Sequence, residues 1–314
     1  MKTTLVTGCA GFIGSSLVDH LLDINEQVIG IDNFNDFYDP EIKRKNLQRA
    51  LKNKNFHLIT KDILQIPTKD FSSTLENVDS IVHLAASPGV RQSFVDSSMF
   101  IQNNISALNA ILKLSSSKTK LIVASSSSVY GTTNSKIFNE ELFLQPISVY
   151  GATKACGEDL CRAYSNNYKI DITCLRIFTC YGPRQRPDLA IHRFSKELIS
   201  KNSLTVYGNG FTTRDYTYVS DIIDGIILAR DKANGFNVIN LGSGNPVFLA
   251  DVIKEIAYNL DIENYSIINE EMPLSDMVHT HAGISKAKKL LGWFPKIDFK
   301  VGIKNFIDWF KNQQ

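Results

Sequence analysis

The stretch Tyr150-Gly151-Ala152-Thr153-Lys154 sets a phenol and an ammonium at i and i+4, a spacing that puts both on one face of a helix. A phenol titrates near pH 10 and is a poor base at neutrality, but a cation held beside it favours the phenolate. Upstream, Ser125-Ser126-Ser127-Ser128-Val129-Tyr130-Gly131 continues from a short apolar run that reads as a strand buried on both faces. In an open parallel sheet ligands bind beyond the carboxyl ends of the strands, so these hydroxyls are placed to hold or relay the proton of a reacting alcohol. Together the two segments offer reversible proton removal from a hydroxyl group.

A second constellation lies at the start of the chain. Gly8-Cys9-Ala10-Gly11-Phe12-Ile13-Gly14 directly follows the strand-like Thr3–Thr7 and opens a helical pattern. Glycines there permit a tight turn, close approach of the backbone to a pyrophosphate and close helix–strand packing, while the helix amides face the phosphates. Asp32 stands eighteen positions after Gly14 at the end of the second strand signal. A carboxylate at that point accepts hydrogen bonds from the adenosine ribose and repels a ribose phosphate, which favours NAD over NADP. Asp62, ending the third strand region, is read either as a contact to the adenine edge or as a helix cap.

These groups have to be positioned by an alternation of strands and helices. Strand candidates are Thr3–Thr7, Val28–Asp32, Phe56–Thr60, Ser80–Ala85, Lys120–Ser125 and Asp171–Phe178. Between them run apolar stripes at helical spacing, Phe12, Ile13, Leu17, Val18, Leu21 and Leu22 in one, and Ile101, Ile105, Leu108, Ile111 and Leu112 in another. The alternation predicts an α/β fold, a doubly wound parallel sheet with helices on both faces. After about residue 179 the rhythm changes. Leu204–Tyr207, Asn209-Gly210 and Tyr216–Val219 read as a small strand pair, Asp221–Arg230 as a helix, and Phe236–Leu241 as a strand returning to the sheet. Further helices are expected around Leu249–Leu260 and Phe306–Phe310. The expected organisation is a dinucleotide-binding domain over residues 1–178, rejoined by 220–244, with a smaller α/β lobe from 179–219 and 245–314.

The 314 residues are ample for this core, and a net charge of +2 gives no argument for a nucleic-acid partner or an acidic membrane surface. No apolar run approaches the roughly 20 residues of a membrane span. The cysteines, Cys9, Cys156, Cys161, Cys174 and Cys180, are odd in number and lack CxxC spacing. They are read as reduced thiols packed as small apolar residues in a cytoplasmic protein, and no metal is expected.

At these motifs the sequence resembles the extended short-chain dehydrogenase family, the NAD-dependent epimerases and dehydratases, over nearly its whole length. The resemblance is carried by Gly8–Gly14, Asp32-Asn33, His83-Leu84-Ala85-Ala86, Ser125–Gly131, Tyr150–Lys154 and Arg214-Asp215-Tyr216. Three stretches look most like UDP-glucuronate 4-epimerases: Asp32-Asn33-Phe34-Asn35-Asp36-Phe37-Tyr38-Asp39-Pro40, then Pro88-Gly89-Val90-Arg91, then Tyr181-Gly182-Pro183-Arg184-Gln185-Arg186-Pro187-Asp188. The resemblance implies a Rossmann domain with a nucleotide-sugar-binding lobe, and a homodimer formed through the segments 95–115 and 150–168. It implies Tyr150 as the base, Lys154 as its modulator and ribose ligand, and Ser126 as the catalytic hydroxyl. Along NAD it places Gly8, Gly11, Phe12, Ile13, Gly14, Asp32, Asn33, Asp62, Ile63, Leu84, Ala85, Ala86 and Asn103, besides Tyr150 and Lys154. Toward a UDP-sugar it places Pro88, Arg91, Ser126, Ser127, Ser128, Thr179, Arg186, Arg193, Arg214 and Asp276. Two positions depart from the family pattern: Thr179 stands where many relatives have Asn, and Ala282-Gly283 where Ala-Asp is usual.

Relatives that eliminate water carry Asp-Glu immediately after the catalytic hydroxyl, and decarboxylating relatives carry Glu two positions after it. Here those places hold Ser127 and Ser128. The resemblance therefore implies simple 4-epimerisation by C4 oxidation and hydride return, of UDP-glucuronate first and of UDP-glucose or UDP-N-acetylglucosamine as the alternative. Arg91, Arg184, Arg186 and Arg193 lie in stretches expected at the cleft, where guanidinium matches carboxylate or phosphate. His192 is read as a packing residue.

Overall fold

Seven of the strand signals assemble into one sheet in a computed structural model that describes residues 1–76, 78–208 and 210–313. The strands are β1 (Thr3–Thr7), β2 (Gln27–Ile31), β3 (Phe56–Ile59), β4 (Ser80–His83), β5 (Lys120–Ser126), β6 (Ile172–Ile177), β7 (Thr179–Tyr181), β8 (Leu204–Tyr207), β9 (Thr213–Tyr218), β10 (Phe236–Leu241), β11 (Pro246–Phe248) and β12 (Ile267–Glu270). The large sheet runs β10-β6-β5-β4-β1-β2-β3, and all its pairs are parallel. The order reverses between β1 and β4, so a crevice opens beyond their carboxyl ends.

The helices are α1 (Phe12–Asp23), α2 (Pro40–Asn46), α3 (Thr68–Leu75), α4 (Gln92–Val95), α5 (Ser97–Ile101), α6 (Ala107–Leu114), α7 (Val149–Tyr168), α8 (Ala190–Ile199), α9 (Val219–Lys232), α10 (Leu249–Asn259), α11 (Ser285–Leu291) and α12 (Phe299–Lys311). Strand side chains alternate between two cores. Val6, Val82 and Ile122 pack with Leu17 and Leu21 of α1 and Ile222 and Ile226 of α9. Leu5, Ile81, Leu121 and Ile172 pack with Leu108 and Ile111 of α6 and Cys161 of α7 on the opposite face. Burying each such Leu or Ile stabilises the fold by about 1.5–3 kcal/mol. A third core joins α8, α10 and α12 through Phe194, Ile253 and Phe306, with Val206 of β8. No helix among the described residues is long and apolar enough to cross a membrane.

Two elements differ from expectation. Leu204–Tyr207 does not pair with the segment beginning at Tyr216; β8 pairs in parallel with β12, while β9 pairs with β7 and β11. Val219 opens α9 and is not strand, and Asn209 of the expected turn lies outside the described residues. The apolar stripe from Ile101 to Leu112 is also not one α-helix. A π-helical stretch, Gln102–Ser106, separates α5 from α6. The wider turn shifts the inward face, so Asn104 is buried while Ile101 is exposed.

Candidate active site

Helix α7, which carries Tyr150 and Lys154, begins against the serine strand. Ser148 caps it, its hydroxyl accepting a hydrogen bond from Gly151 N at 3.0 Å. A Cβ on Gly151 would stand 2.6 Å from the Ser128 carbonyl oxygen, so glycine next to Tyr150 is what lets the helix start this close. Lys154 Nζ donates to the Ala124 carbonyl at 2.8 Å and lies 5.9 Å from the centre of the Tyr150 ring. Burial pushes the Tyr150 phenol up from its ordinary value, while the Ser126 hydroxyl and the Arg186 charge pull it down. Burial also pulls Lys154 down to about 8. Ser126 Oγ donates to Ser128 Oγ at 3.2 Å and accepts from Ser128 N at 3.1 Å, which fixes the hydroxyls as a group.

Behind this face lies a buried polar brace. Glu158, one further helical turn beyond Lys154, accepts from Ser125 Oγ at 2.6 Å and from Arg176 Nε and Nη2 at 2.9 and 2.7 Å. The side chains of Arg176 and Glu158 are 3% and 1% exposed, so the pair is desolvated and satisfied by geometry alone. It ties α7 to β5 and β6. On the other flank Asn104 Nδ2 donates to Thr153 Oγ1 at 3.0 Å and to the Ser87 carbonyl at 3.1 Å, and Asn104 Oδ1 accepts from Ser87 N at 2.7 Å. The π-helical stretch thus links the loop after β4 to α7. His83 bonds Thr7 Oγ1 at 2.8 Å, and burial, with the Lys154 charge, pulls it to about 3. It is a neutral packing group at physiological pH.

One cavity of about 520 Å³ runs from the glycine loop to Tyr150. At one end, Gly8 has φ +69°, and a Cβ there would meet Ala85 N at 2.8 Å. Gly11 caps α1 without a side chain, leaving the first helix amides free of a side-chain cap at the cavity wall. Asp32 accepts from Ala10 N at 3.0 Å and Phe34 N at 2.8 Å, one bond per oxygen, which leaves each oxygen a further lone pair. Asp62 both caps a 3-10 turn through Leu64 N and accepts from Asn33 Nδ2 at 2.9 Å. At the other end the wall carries Ser126, Ser127, Ser128, Thr179, Arg186, Arg214 and Asp276. Arg214 donates to the carbonyls of Thr213 and Val278 at 2.9 and 3.3 Å and forms no ion pair among the described residues. A largely desolvated guanidinium so placed suits an anionic ligand group.

The family model described as GDP-mannose 4,6 dehydratase matches residues 5–306. The chain belongs to the extended short-chain dehydrogenase family. An uncharacterised UDP-glucose epimerase of Bacillus subtilis (strain 168) is 41% identical over 96% of this chain and 96% of that protein. A UDP-glucuronate 4-epimerase of Thermodesulfobacterium geofontis is 37% identical over 98% of this chain and 95% of that protein. The crystal structure of UDP-glucuronic acid 4-epimerase from Bacillus cereus in complex with UDP-glucuronic acid and NAD has a TM-score of 0.94 and 37% identity, covering 99% of this chain and 100% of that one.

This extended short-chain dehydrogenase is an NAD-dependent nucleotide-sugar 4-epimerase. The cradle at Gly8 and Gly11 and the spare lone pairs of Asp32 fit the dinucleotide. Phe12, Ile13, Gly14, Asn33, Ile63, Leu84, Ala85, Ala86, Pro88 and Asn103 also line the cavity. Asp32 also pins the glycine loop, through the bond from Ala10 N, to the segment after β2, through the bond from Phe34 N. Three arginines lie elsewhere than the cavity wall. Arg91 pairs with Asp276 at 2.7 Å and stacks over Tyr207, with its guanidinium carbon 3.8 Å from the ring centre. Arg193 donates to the Thr205 carbonyl at 2.8 Å. Arg184 is bonded to Asp19 of α1 at 2.7 Å. His192 packs among Phe306, Trp309 and Phe310. All five cysteines are free thiols, but Cys156 is exposed on α7 and is not a packing residue. Lys43, which no motif singles out, also lines the cavity, and its ammonium donates to Asn35 O and Asn35 Oδ1 at 2.7 Å each. No motif singles out Glu158 either, although the regular spacing of Tyr150, Lys154 and Glu158 along one helix is a usable signal.

Proposed function

We propose that the substrate is a UDP-sugar, UDP-glucuronate, which the enzyme converts to UDP-galacturonate. The observation that carries this is Arg186 on the cavity wall together with Ser127 and Ser128, close enough for its charge to act on the Tyr150 phenol. A cation on the wall of the cavity that holds the Tyr150 phenol faces the space the reacting sugar would fill, and a C6 carboxylate is the group it would bind best. Arg214 suits the diphosphate at the other end of the ligand. Both similar UDP-glucuronate 4-epimerases support this choice, whereas the Bacillus subtilis relative supports the neutral sugar, UDP-glucose.

Tyr150 takes the proton of the sugar's C4 hydroxyl, and Ser126 holds that oxygen in line. The glycine loop and Lys154 would hold NAD, which when bound would supply the acceptor and later the donor of the C4 hydride. Lys154 keeps its charge near the phenol and the cofactor ribose. The 4-keto sugar then turns within the site and Tyr150 returns the proton, now to the oxygen of the opposite configuration. A 4-keto uronic acid is a β-keto acid, and decarboxylation requires its carboxylate bond to align with the carbonyl π system. Arg186, Ser127 and Ser128 hold the carboxylate out of that alignment, and neither serine position offers a carboxyl acid to protonate the enolate.

The test is product analysis by NMR after UDP-glucuronate is fed to the wild type and to Arg186→Ala. UDP-galacturonate with little UDP-pentose is expected from the wild type. Losing one charge-assisted contact of about 1.5–3 kcal/mol should lower the variant's preference for the uronate about tenfold to a hundredfold. A wild type inactive on UDP-glucuronate but brisk on UDP-glucose or UDP-N-acetylglucosamine overturns the assignment in favour of the neutral sugars. We also propose a homodimer, supported by Phe94, Val95 and Ile101, which α4 and α5 leave 57%, 88% and 49% exposed.

A further inference from the structure

Two segments far apart in the chain meet on one wall of the cavity. Arg186 Nε donates to Asp188 Oδ1 and Arg186 Nη2 to Asp188 Oδ2, both at 2.9 Å. The guanidinium carbon lies 5.7 Å from the centre of the Phe37 ring. The Tyr38 hydroxyl beside them is buried with no hydrogen-bond partner among the described residues, and the charges of Arg186 and Asp188 both act on it. Phe37, Tyr38 and Arg186 line the cavity, while Asp188 stands behind Arg186 and is not part of the wall. The Arg186 and Asp188 side chains are 17% and 31% exposed.

We propose that Asp188 is a positioning residue for substrate selection: it occupies the Nε–Nη2 side of Arg186 and so presents the remaining Nη1–Nη2 edge to the C6 carboxylate of the sugar. This deepens the assignment of UDP-glucuronate and rests on it. A guanidinium is planar and offers two-pronged edges that match a carboxylate. An arginine side chain free to rotate would lose that freedom on binding and weaken the complex. Asp188 removes the freedom beforehand, because a two-pronged contact fixes both the plane and the rotation of the group, and Phe37 lies near it. A neutral hydroxymethyl group gains little from a second guanidinium edge, so the device discriminates by charge and shape at C6 without touching the diphosphate end.

The experiment compares equilibrium affinities for UDP-glucuronate and UDP-glucose in NAD-loaded protein carrying Tyr150→Phe, so that neither sugar is turned over. Adding Asp188→Ala should weaken UDP-glucuronate by about threefold to tenfold, the scale of ordering one arginine side chain on binding, and leave UDP-glucose nearly unchanged. Arg186→Ala, which removes the contact itself, should lose more, about tenfold to a hundredfold, and the combined variant no more than Arg186→Ala alone, because Asp188 acts only through Arg186. Asp188→Asn, which keeps one acceptor, should fall between the parent protein and Asp188→Ala. Equal weakening of both sugars, additive losses, or no change in Asp188→Ala overturns the proposal. The substrate assignment fails separately: a wild type that turns over only neutral sugars refutes it, whereas the affinity ratio in the variants still decides whether Asp188 orients Arg186.

Discussion

At the scale of single residues, Tyr150 is half-buried and desolvation pushes its phenol up, so deprotonation depends on the hydroxyl and charges that surround it. Tyr150→Phe removes the proposed proton acceptor without changing the shape of the cavity. Turnover should fall by at least about a thousandfold while UDP-sugar affinity stays within a few-fold, because the loss falls on the transition state. Substantial activity in that variant, measured by NMR, would show another base. Lys154 carries the pH dependence on the alkaline side. Its ammonium, pulled down to about 8 by burial, is charged below that pH and loses its proton above it. Activity that needs the cation should therefore decline as pH rises through about 8, and Lys154→Arg, whose guanidinium stays charged, should lose that decline in whatever activity survives. An unaltered alkaline limb in Lys154→Arg would assign it to another group. The pairing of Tyr150 with Lys154 was legible because it depends on one helical period. The fork between Arg186 and Asp188 was not, because i+2 spacing in a loop states nothing about direction until the loop's path is known.

At the scale of elements, the strands of the large sheet were legible to within a residue or two because both faces are buried and short Val/Ile/Leu runs have few alternatives. The pairing of β8 with β12 was not, since those strands are about sixty residues apart and β12 is exposed along its length. The π-helical stretch was hidden for a different reason. One wider turn leaves the composition unchanged and alters only which side chains face inward, bringing Asn104 to Thr153 and Ser87. The brace between Glu158 and Arg176 predicts how α7 is held. Glu158→Gln leaves a buried guanidinium short of its charge partner, which should destabilise the protein by about 3–5 kcal/mol and lower the melting temperature by roughly 10 °C. Calorimetry showing a loss of only a degree or two would mean that the pair contributes little beyond its replacement by a neutral amide.

At the scale of the whole molecule, the arrangement places chemistry at the seam between the parallel sheet and the smaller lobe. Asp215, fully buried, accepts hydrogen bonds from Ser243 N, Gly244 N and Ala282 N and so fastens β9 to two later loops beside Arg214. The exposed apolar side chains of α4 and α5 predict that purified protein sediments at about twice the chain mass. Charged replacements at Phe94 and Val95 should shift it to the monomer, and a monomeric wild type at micromolar concentration would refute the dimer. The position of β10 has a consequence for synthesis. Phe236–Leu241 pairs with Ile172–Ile177, so the edge of the sheet next to the catalytic strand is closed by residues made some sixty positions later. Until they emerge from the ribosome, the nascent chain presents β6 as an open, apolar parallel edge, the kind of template on which unfinished chains associate. Loss of holding chaperones while that edge waits should therefore lower the yield of soluble protein.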